Sequence, residues 1–522
     1  MNLWLCRTMD NDNFTSVLEK DIKRNTSNET HRILNGLFWS FSGSGLQTIL
    51  QTLVLIVLSR LLTPADFGLV NAASLLIGFS AIFSTLGVGP AIVQRKTLEL
   101  AHLRTGFTIS ILFGFLITGL FWIMAPIISI FFRMNGLTQV LRVTSFIFIF
   151  QSSYIIAQSL LQRTLQFRIL VGIEVVSYFI GFGVVGVSLA LMDFGVWALV
   201  TAQLVQSVVN CLLLLIVQPH PKMPKIDRQA LKELMDFGAG FTIANISNYW
   251  ARNGDYLVVG RFLGAEALGL YKNAYKLATL PANVFGAVLD RVLFPAMSKE
   301  QDASDRLATT YRRAIMMIAL LTLPMSATMF GLAPELIHKL LGIQWEGAII
   351  PFQILCIGAL FRTSYKISDS IIRAKGAVKH LAWLHSIYTI LIVGGALLGQ
   401  YWGISGVAIA VLIALTMFFT LMAKIALDIT SMSWNVFLLS HIPGLSLSFI
   451  IFLEVFTIKV AMKLIVGDDL AIIFTSIFSI FLTILILGLL RPTFLLSKDD
   501  LHVLDNINIY IVRQFKLHIF KK

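Results

Sequence analysis

Apolar stretches long enough to cross a membrane follow one another along almost the whole chain. A spanning helix needs about 20 mostly apolar residues, and short polar segments separate about fourteen such stretches here. They cover residues 34–59, 67–90, 106–132, 137–162, 169–191, 194–217, 237–260, 265–297, 313–338, 347–372, 381–399, 404–427, 438–461 and 470–490. The pattern predicts an all-α, polytopic membrane protein of about 14 transmembrane helices, which we number as spans 1 to 14.

Part of this pattern occurs twice, with an offset of 201 residues between the copies. Ser59-Arg60-Leu61-Leu62 … Gly68-Leu69 recurs as Gly260-Arg261-Phe262-Leu263 … Gly269-Leu270. In the helix before each arginine, polar positions also correspond: Ser44, Gln47 and Gln51 align with Asn245, Asn248 and Arg252. Repeated membrane bundles build two lobes around one central site. We therefore expect two pseudo-symmetric six-helix lobes, related by an axis along the membrane normal.

The predicted organisation has six parts. They are a cytoplasmic N-terminal segment (1–33), an N-lobe of spans 1–6 (34–217), a cytoplasmic linker (218–236), a C-lobe of spans 7–12 (237–427), spans 13–14 (428–490) and a cytoplasmic amphipathic tail (491–522). The first 33 residues are polar, and the first apolar stretch is too long for the core of a signal peptide. We therefore expect that stretch to stay in the protein as span 1.

Positive charges alternate from side to side along the predicted spans. Of the 41 Lys and Arg residues, 28 fall in segments on the side of the N-terminus, 6 on the other side and 7 within spans. Because cytoplasmic loops carry the excess of Lys and Arg, both termini are expected in the cytoplasm, with the chain in the cell (inner) membrane. The net charge of +13 then reflects topology. No long polar segment offers a basic folded surface, so a nucleic-acid partner is not expected.

Sequence motifs for soluble chemistry are missing or misplaced. Neither GxxxxGK[ST] nor HExxH occurs, and the three cysteines are scattered, so we expect no cofactor, no metal site and no enzyme activity. Gly181-Phe-Gly183-Val-Val-Gly186 fits a dinucleotide fingerprint but lies in mid-span without a preceding strand, which favours close helix packing. A membrane-embedded glycosyltransferase or polymerase is an alternative, which the short outer loops and the internal repeat disfavour.

Polar side chains inside the spans form stripes, and ionisable groups at that depth usually face a cavity or a partner. The stripes comprise Ser40, Ser44, Gln47 and Gln51 in span 1; Asn245, Asn248, Arg252 and Asp255 in span 7; Lys272 and Lys276 in span 8; and Arg362, Lys366, Asp369 and Arg373 in span 10. Arg and Lys give charge-assisted hydrogen bonds to phosphate, and amides can hydrogen-bond sugar hydroxyls. The stripes predict a central cavity for an anionic, sugar-bearing ligand such as a lipid-linked diphosphate oligosaccharide.

The substrate-binding candidates are therefore the cations and amides of these stripes. They are Arg252, Lys272, Lys276, Arg362, Lys366, Gln47, Gln51 and Asn248. A structural alternative is that Arg252 pairs with Asp255, and Arg362 or Lys366 with Asp369, because spacings of three and four permit intrahelical ion pairs. Lys272 and Lys276 have no acid at those spacings on their own helix, which favours the ligand-facing interpretation.

A family resemblance rests on a set of motifs between about residues 35 and 430. The main one is Ala251-Arg-Asn-Gly-Asp255-Tyr-Leu-Val-Val-Gly-Arg-Phe-Leu-Gly264-Ala-Glu-Ala-Leu-Gly-Leu-Tyr271-Lys-Asn-Ala-Tyr275. It is joined by Ser59-Arg-Leu-Leu-Thr-Pro-Ala-Asp-Phe-Gly-Leu69, Ile92-Val-Gln-Arg95-Lys96, Phe194-Gly-Val-Trp-Ala-Leu199 and Arg291-Val-Leu-Phe-Pro295-Ala296. The set resembles the polysaccharide-transporter branch of the multidrug/oligosaccharidyl-lipid/polysaccharide (MOP) exporter superfamily, and most of all its colanic-acid, lipopolysaccharide and O-antigen exporters.

This resemblance implies a flippase that moves undecaprenyl-diphosphate-linked sugar repeats to the outer leaflet. It implies a V-shaped pair of six-helix lobes with spans 13 and 14 added, and coupling to a proton or sodium gradient, for which Asp255 and Asp369 are the candidates. The implied partners are the lipid-linked substrate, the membrane, and a polysaccharide polymerase with its export machinery. A multidrug/cation antiporter of the same superfamily is the alternative, which the excess of Arg and Lys in the stripes disfavours.

The charge alternation makes a topology prediction. Reporter fusions after residues 105, 230, 305 and 376 are all expected to lie in the cytoplasm, because each follows an even number of predicted spans. Activities of paired cytoplasmic and periplasmic reporters measure this. A fusion at any of these four positions that lies reliably outside would show that the helix count or the orientation is wrong.

Overall fold

A computed structural model describes residues 29–84, 87–221, 224–282, 297, 304–376, 378–465 and 469–490. Within these ranges, the side chains of 29–44, 84, 236–245, 247–248, 304, 378–380, 382 and 484–490 are not described. Most of the predicted N-terminal segment, the motif at 291–296 and the predicted tail at 491–522 lie outside these ranges. The expectations for those segments therefore stay predictions.

Helices joined by short turns make up the described part of the chain, which contains no strand. The α-helices are α1 Glu29–Leu61, α2 Pro64–Ser84, α3 Val88–Gln94, α4 Leu100–Phe132, α5 Leu137–Thr144, α6 Ile147–Arg163, α7 Phe167–Tyr178, α8 Val187–Leu191, α9 Val196–Val217, α10 Arg228–Ala278, α11 Ser304–Gly331, α12 Ala333–Leu336, α13 Ile349–Ile357, α14 Ala359–Ala374, α15 Val378–Gly399, α16 Gly403–Thr430, α17 Trp434–Leu439, α18 Ile442–Ile465 and α19 Asp469–Leu490. Two π-helices, Phe179–Gly186 and Ile337–Leu341, and two 3₁₀ turns, Ile343–Ala348 and Gln400–Trp402, connect some of them.

Many of these helices are long and apolar enough to cross a bilayer. Nine helical runs of the described residues meet both conditions, and Gly45–Leu61 and Asp469–Thr483 are shorter apolar helices. One of the nine runs, Trp383–Thr430, contains most of α15 and all of α16 and corresponds to predicted spans 11 and 12. The prediction of an all-α, multi-pass membrane protein is confirmed, and the count of fourteen spans stays a prediction.

Local sequence explains where neighbouring spans separate. Between α1 and α2, the Thr63 N–H donates to Asp66 Oδ2 at 3.0 Å and the Asp66 N–H donates to Thr63 Oγ1 at 3.2 Å, which satisfies the free N–H groups at the start of α2. Within α10, Gly264 has φ 89°, a left-handed conformation that glycine adopts at little cost. Predicted spans 7 and 8 are therefore two helical parts of α10 that meet directly at the break at Gly264.

By compactness the chain divides into two units. Unit 1 comprises residues 1–272 and 396–407, and unit 2 comprises residues 273–395 and 408–522. The boundary at 272 lies inside α10 rather than in the predicted linker 218–236. The repeat boundaries 34–217 and 237–427 describe the two sequence copies, and the superposition of these two lobes stays a prediction.

In unit 2, the predicted extra span α18 packs along α11. A Cβ added to Gly444 would lie 2.5 Å from the backbone of Ala319, so the two helices touch through their main chains there. Further along α18, Lys459 Nζ lies 3.0 Å from Oε1 of Glu335, which is on α12 just after α11 and whose side chain is 1% exposed. An apolar contact and an ion pair therefore hold α18 against the unit.

In unit 1, a polar cluster fixes the start of α10. Glu233 pairs with Arg95, and its Oε2 lies 2.9 Å from Nε2 of His102. The Asp227 N–H also donates to Thr105 Oγ1 at 2.9 Å. Hydrogen bonds from His102 and Gln229, together with Arg95, lower the pKa of Glu233 from its ordinary value of 4.5 to about 2. The end of the predicted linker is thereby tied to Arg95 and to the first turns of α4.

The lowered pKa gives this cluster a defined pH dependence. A carboxyl with a depressed pKa in the folded state stabilises it above the unfolded pKa and loses that contribution as pH falls. The melting temperature of the parent is expected to exceed that of Glu233→Gln at pH 7, and the difference should shrink from about pH 4.5 downward. Thermal unfolding of the purified protein between pH 7 and pH 3 measures it. Glu266→Gln, an exposed position later in α10, is the control, and a parent–variant difference that stayed constant with pH would contradict the role of Glu233.

Candidate functional site

The amides predicted to contact the ligand lie on α1 and α10. Gln47 and Gln51 are half-buried and one turn apart on α1. Asn248 lies on α10, but its side chain is outside the described set, so its orientation stays a prediction. The amide stripe of span 1 is thus present as a helical face.

Asp255 lies in the interior of unit 1. Asp255 is 2% exposed, and the phenol of Tyr271 donates a hydrogen bond to its Oδ2 at 2.9 Å. Tyr271 itself is fully buried and stands after the break at Gly264. The hydrogen bond therefore joins the two parts of α10 and holds one of the two predicted ion-coupling carboxyls in place.

The described contacts do not support the alternative in which Arg252 forms an intrahelical ion pair with Asp255. It is exposed, whereas Asp255 three residues later is buried. Within the described part of the chain, the two side chains form no ion pair. Lys272 is half-buried, with its Nζ 5.6 Å from the ring centroid of Tyr256, so its charge lies near an aromatic face.

Arg362 on α14 is held by aromatic side chains of unit 2. Its Nη1 donates to the phenol oxygen of Tyr275, and its Cζ lies 4.4 Å from the centroid of the same ring. Tyr388 and Tyr365 are close enough to interact electrostatically with the guanidinium. Both tyrosine rings contact Phe418. The rings of Tyr388 and Phe418 are stacked, with their centroids 4.4 Å apart. Among the described residues, no carboxylate pairs with Arg362.

Lys276 follows Tyr275 and lies one turn beyond Lys272. It is half-buried, and the described residues supply no hydrogen bond, ion pair or ring contact to its ammonium group. Tyr275 therefore holds the guanidinium of Arg362, on α14, against α10. The same segment of α10 carries a second cation, Lys276. Among the described residues, neither Arg362 nor Lys276 has a carboxylate partner.

Asp369 and Lys366 complete the stripe on α14. Asp369 Oδ2 lies 2.8 Å from Nη2 of Arg373, one turn further along the same helix. The described ion pair of this stripe thus joins Asp369 to Arg373. Arg362 instead contacts the ring and phenol oxygen of Tyr275. Lys366, which lies between Arg362 and Asp369 in the sequence, is half-buried.

Sequence reasoning missed the tyrosines of the α10 segment after Gly264. Tyr271 and Tyr275 are four residues apart, and each precedes one of the lysines already singled out. Each tyrosine binds a charged candidate, Asp255 or Arg362. The repeated Tyr-Lys pair was the available signal, because polar aromatic residues at helical spacing inside a span need hydrogen-bond partners.

Solved structures share this helical architecture. The lipid II flippase MurJ in an inward closed conformation matches with a TM-score of 0.65 at 15% identity, over 86% of this chain and 100% of that one. An inward-facing multidrug resistance MATE family transporter of the MOP superfamily matches with a TM-score of 0.57 at 18% identity, over 74% and 96%. The protein therefore has the fold of MOP-superfamily transporters, which confirms the predicted fold class.

Sequence comparison adds the family. The profile of a family of polysaccharide biosynthesis proteins matches residues 57–350, more than half of the chain, so the chain belongs to that family. The teichuronic acid biosynthesis protein TuaB of Bacillus subtilis (strain 168) is 26% identical over 349 residues, 66% of this chain and 72% of TuaB. The lipopolysaccharide biosynthesis protein WzxC of Escherichia coli (strain K12) is 24% identical over 385 residues, 73% of this chain and 78% of WzxC.

The contact between Tyr275 and Arg362 predicts an energetic coupling. Tyr275→Phe removes the phenol oxygen and keeps the ring, and a hydrogen bond to a charged group contributes about 1.5–3 kcal/mol. We expect Tyr275→Phe and Arg362→Ala to be non-additive in the free energy of unfolding, with a coupling of about 1–3 kcal/mol. Denaturant unfolding of the parent, both single variants and the double variant gives this cycle. Tyr401→Phe, at a residue that is 79% exposed, is the control, and additive effects would contradict the contact.

Proposed function

We propose that the protein is a flippase that moves undecaprenyl-diphosphate-linked oligosaccharide repeat units across the inner membrane for the synthesis of a surface polysaccharide. The family of polysaccharide biosynthesis proteins supports the biosynthetic role. The fold shared with MurJ, whose name assigns it lipid II, supports a lipid-linked substrate. Transport proceeds by alternating access around a central site, without covalent chemistry.

The observation that carries this proposal is the state of Arg362 and Lys276. Both are partly buried inside apolar spans, and the described chain offers neither of them a carboxylate. A cation at that depth is costly unless it faces water or an anion. A diphosphate is the anion that fits, because it offers several oxygens to a guanidinium and an ammonium at once. Arg252, Lys272 and Lys366 add positive charge on the same helices.

The sugar end of the substrate needs neutral hydrogen-bond partners. Gln47, Gln51 and Asn248 supply amide donors and acceptors for sugar hydroxyls. Amides of this kind tolerate different hydroxyl patterns, because each can donate and accept. The diphosphate contacts therefore set the affinity in this proposal, and the amides guide the sugar chain.

Energy coupling is assigned to the two carboxyls. Asp255 lies buried beside the Tyr271 phenol, and Asp369 lies beside Arg373. Binding of a proton or a sodium ion to either carboxyl changes the hydrogen bond or ion pair that it makes. Such a change couples an ion gradient to the movement of the helices that carry them. Both termini lie in the cytoplasm in this proposal, and a polysaccharide polymerase with its export machinery receives the product.

A multidrug/cation antiporter is the second candidate, favoured by the fold shared with a MATE family transporter. A cationic drug needs acceptor groups or carboxylates. Asp369 is already paired with Arg373, and cations predominate along the stripes. Electrostatic repulsion between these cations and a cationic drug makes the antiporter the weaker candidate.

Neutralising the unpaired cations tests the flippase. Arg362→Ala and Lys276→Ala are each expected to reduce polysaccharide export by about tenfold or more, since each loses a charge-assisted contact of about 1.5–3 kcal/mol. In a deletion strain carrying each variant, the lipid-linked repeat unit should accumulate on the inner leaflet. Lys375→Ala, an exposed cation near the end of α14, is the matched control and should export normally.

Protein amount separates the two explanations of a loss. Unchanged levels of folded Arg362→Ala with reduced export indicate a lost substrate contact, whereas reduced levels indicate lost packing. Normal export from a fully expressed Arg252→Ala/Lys276→Ala/Arg362→Ala variant would eliminate the cationic site. Increased drug sensitivity with normal export would favour the antiporter.

A further inference from the structure

A carboxyl group that the proposed transport mechanism does not use lies in the last pair of spans. Glu454 is on α18, with twelve residues of that helix before it and eleven after it. At 1.5 Å per residue it lies about 16–18 Å from either end of the helix, and the hydrocarbon core of a bilayer is about 30 Å thick. Its short side chain therefore cannot reach either membrane interface. An ionised group at that depth needs a partner.

Two hydroxyl groups of α19 are the described partners of this carboxyl. Ser479 Oγ donates a hydrogen bond to Oε1 of Glu454. Thr483 Oγ1 lies 3.1 Å from Oε1 and 3.1 Å from Oε2, so its proton is shared between the two oxygens. Ser479 and Thr483 are four residues apart, about one turn of α19. The carboxyl thus joins α18 to α19 through neutral donors.

The charged groups of the neighbouring helices do not neutralise Glu454. Lys459, five residues later, lies about 140° further around α18 and pairs with Glu335 of α12 at 3.0 Å, as Lys463 does at 3.8 Å. The charged residues of α11 are all within its first ten positions, and that of α19 is at its first position: Asp305, Arg306, Arg312, Arg313 and Asp469. Within the described ranges, Glu454 therefore forms no ion pair.

The surroundings of the carboxyl are apolar apart from the hydroxyls of α19. Ile451 and Val455, on either side of Glu454 along α18, are fully buried. Ser476 lies on the same face of α19 as Ser479 and Thr483, because the spacings are three and four residues. It is fully buried, and its hydroxyl has no hydrogen-bond partner in the part of the chain that the structure describes. Since buried hydroxyls normally have a partner, this face has hydrogen-bonding capacity that the described side chains do not use.

We propose that Glu454, Ser479 and Thr483 form a reversible proton-binding site between α18 and α19, separate from the carboxyls assigned to energy coupling. A proton removes the charge that the hydroxyls leave unneutralised. It needs one oxygen, whereas a divalent cation takes about six or more. When Glu454 is ionised, both hydroxyls donate to it. When a proton from water binds, the carboxyl gains a donor and a hydroxyl can turn to accept from it. The two helices therefore stay joined in both states, and pH sets the charge between them.

Carbodiimide labelling tests for the proton directly. Dicyclohexylcarbodiimide partitions into apolar surroundings and reacts with protonated carboxyls, and mass spectrometry of peptides locates the adduct. In the purified full-length parent, Glu454 is expected to be labelled most strongly at pH 5 and at least about fivefold less at pH 10, because its protonated fraction falls as pH rises. Glu454→Gln should lose the adduct, and the exposed Glu266 is expected to remain unlabelled.

Removing a hydroxyl gives a defined direction of change. Thr483→Val and Ser479→Ala are each expected to keep Glu454 labelled to a higher pH, by about one unit or more, because a hydrogen bond to the charged form favours that form. Thr475→Val is the matched control on the same helix, since Thr475 is exposed and its hydroxyl donates to the carbonyl of Ala471. It should follow the labelling profile of the parent.

The parent alone decides the case in which these variants do not fold. Labelling of Glu454 in the folded parent that is absent, or that stays constant between pH 5 and pH 10, would overturn the proposal, because the carboxyl would then be permanently ionised or permanently protonated. Protection of Glu454 by sodium ions at fixed pH, compared with choline, would overturn it in favour of a metal cation. Labelling requires no transport, so a protein without flippase activity would refute only the proposed function.

Discussion

A guanidinium inside a bundle of apolar helices needs a partner, and the surroundings of Arg362 determine which kind. The phenol of Tyr275 accepts one of its N–H groups and the ring covers one face, while Tyr365 and Tyr388 lie close by. Neutral oxygens and ring faces hold an arginine in place without neutralising its charge. In the proposed function, this remaining positive charge attracts the anionic substrate. The assignment of a diphosphate, and with it the class of substrate, depends on this arrangement.

The described contacts of the two acidic candidates, each within its own unit, agree with the proposed function. Asp369 is taken up by Arg373 on its own helix, and Asp255 is held by Tyr271 in unit 1. Lys276 has no described partner and follows the tyrosine that fixes Arg362. A single helix segment after Gly264 thus supplies both tyrosines that position the charged candidates and both lysines predicted to face the ligand.

Periodicity predicted the features that arise within one helix. Long apolar runs gave the all-α membrane fold, and spacing along α14 brought Asp369 next to a basic residue. Which basic residue forms the described pair was not predictable, because Lys366, three residues before Asp369, and Arg373, four residues after it, are both within reach along the helix. Arg252 and Asp255 are three residues apart, yet one is exposed and the other buried. Helix packing decides such partners, and a sequence pattern contains no information on which helices touch.

Binding of two lipids that differ only in their headgroup tests the central claim most directly. The purified protein is mixed with undecaprenyl diphosphate or with undecaprenol, and the retained lipid is measured by native mass spectrometry. The parent is expected to retain the diphosphate at least about tenfold more tightly than the alcohol, a difference of about 1.4 kcal/mol. This preference should disappear in Arg362→Ala/Lys276→Ala and persist in Lys375→Ala. Equal retention of both lipids by the parent would contradict a cationic site for the diphosphate.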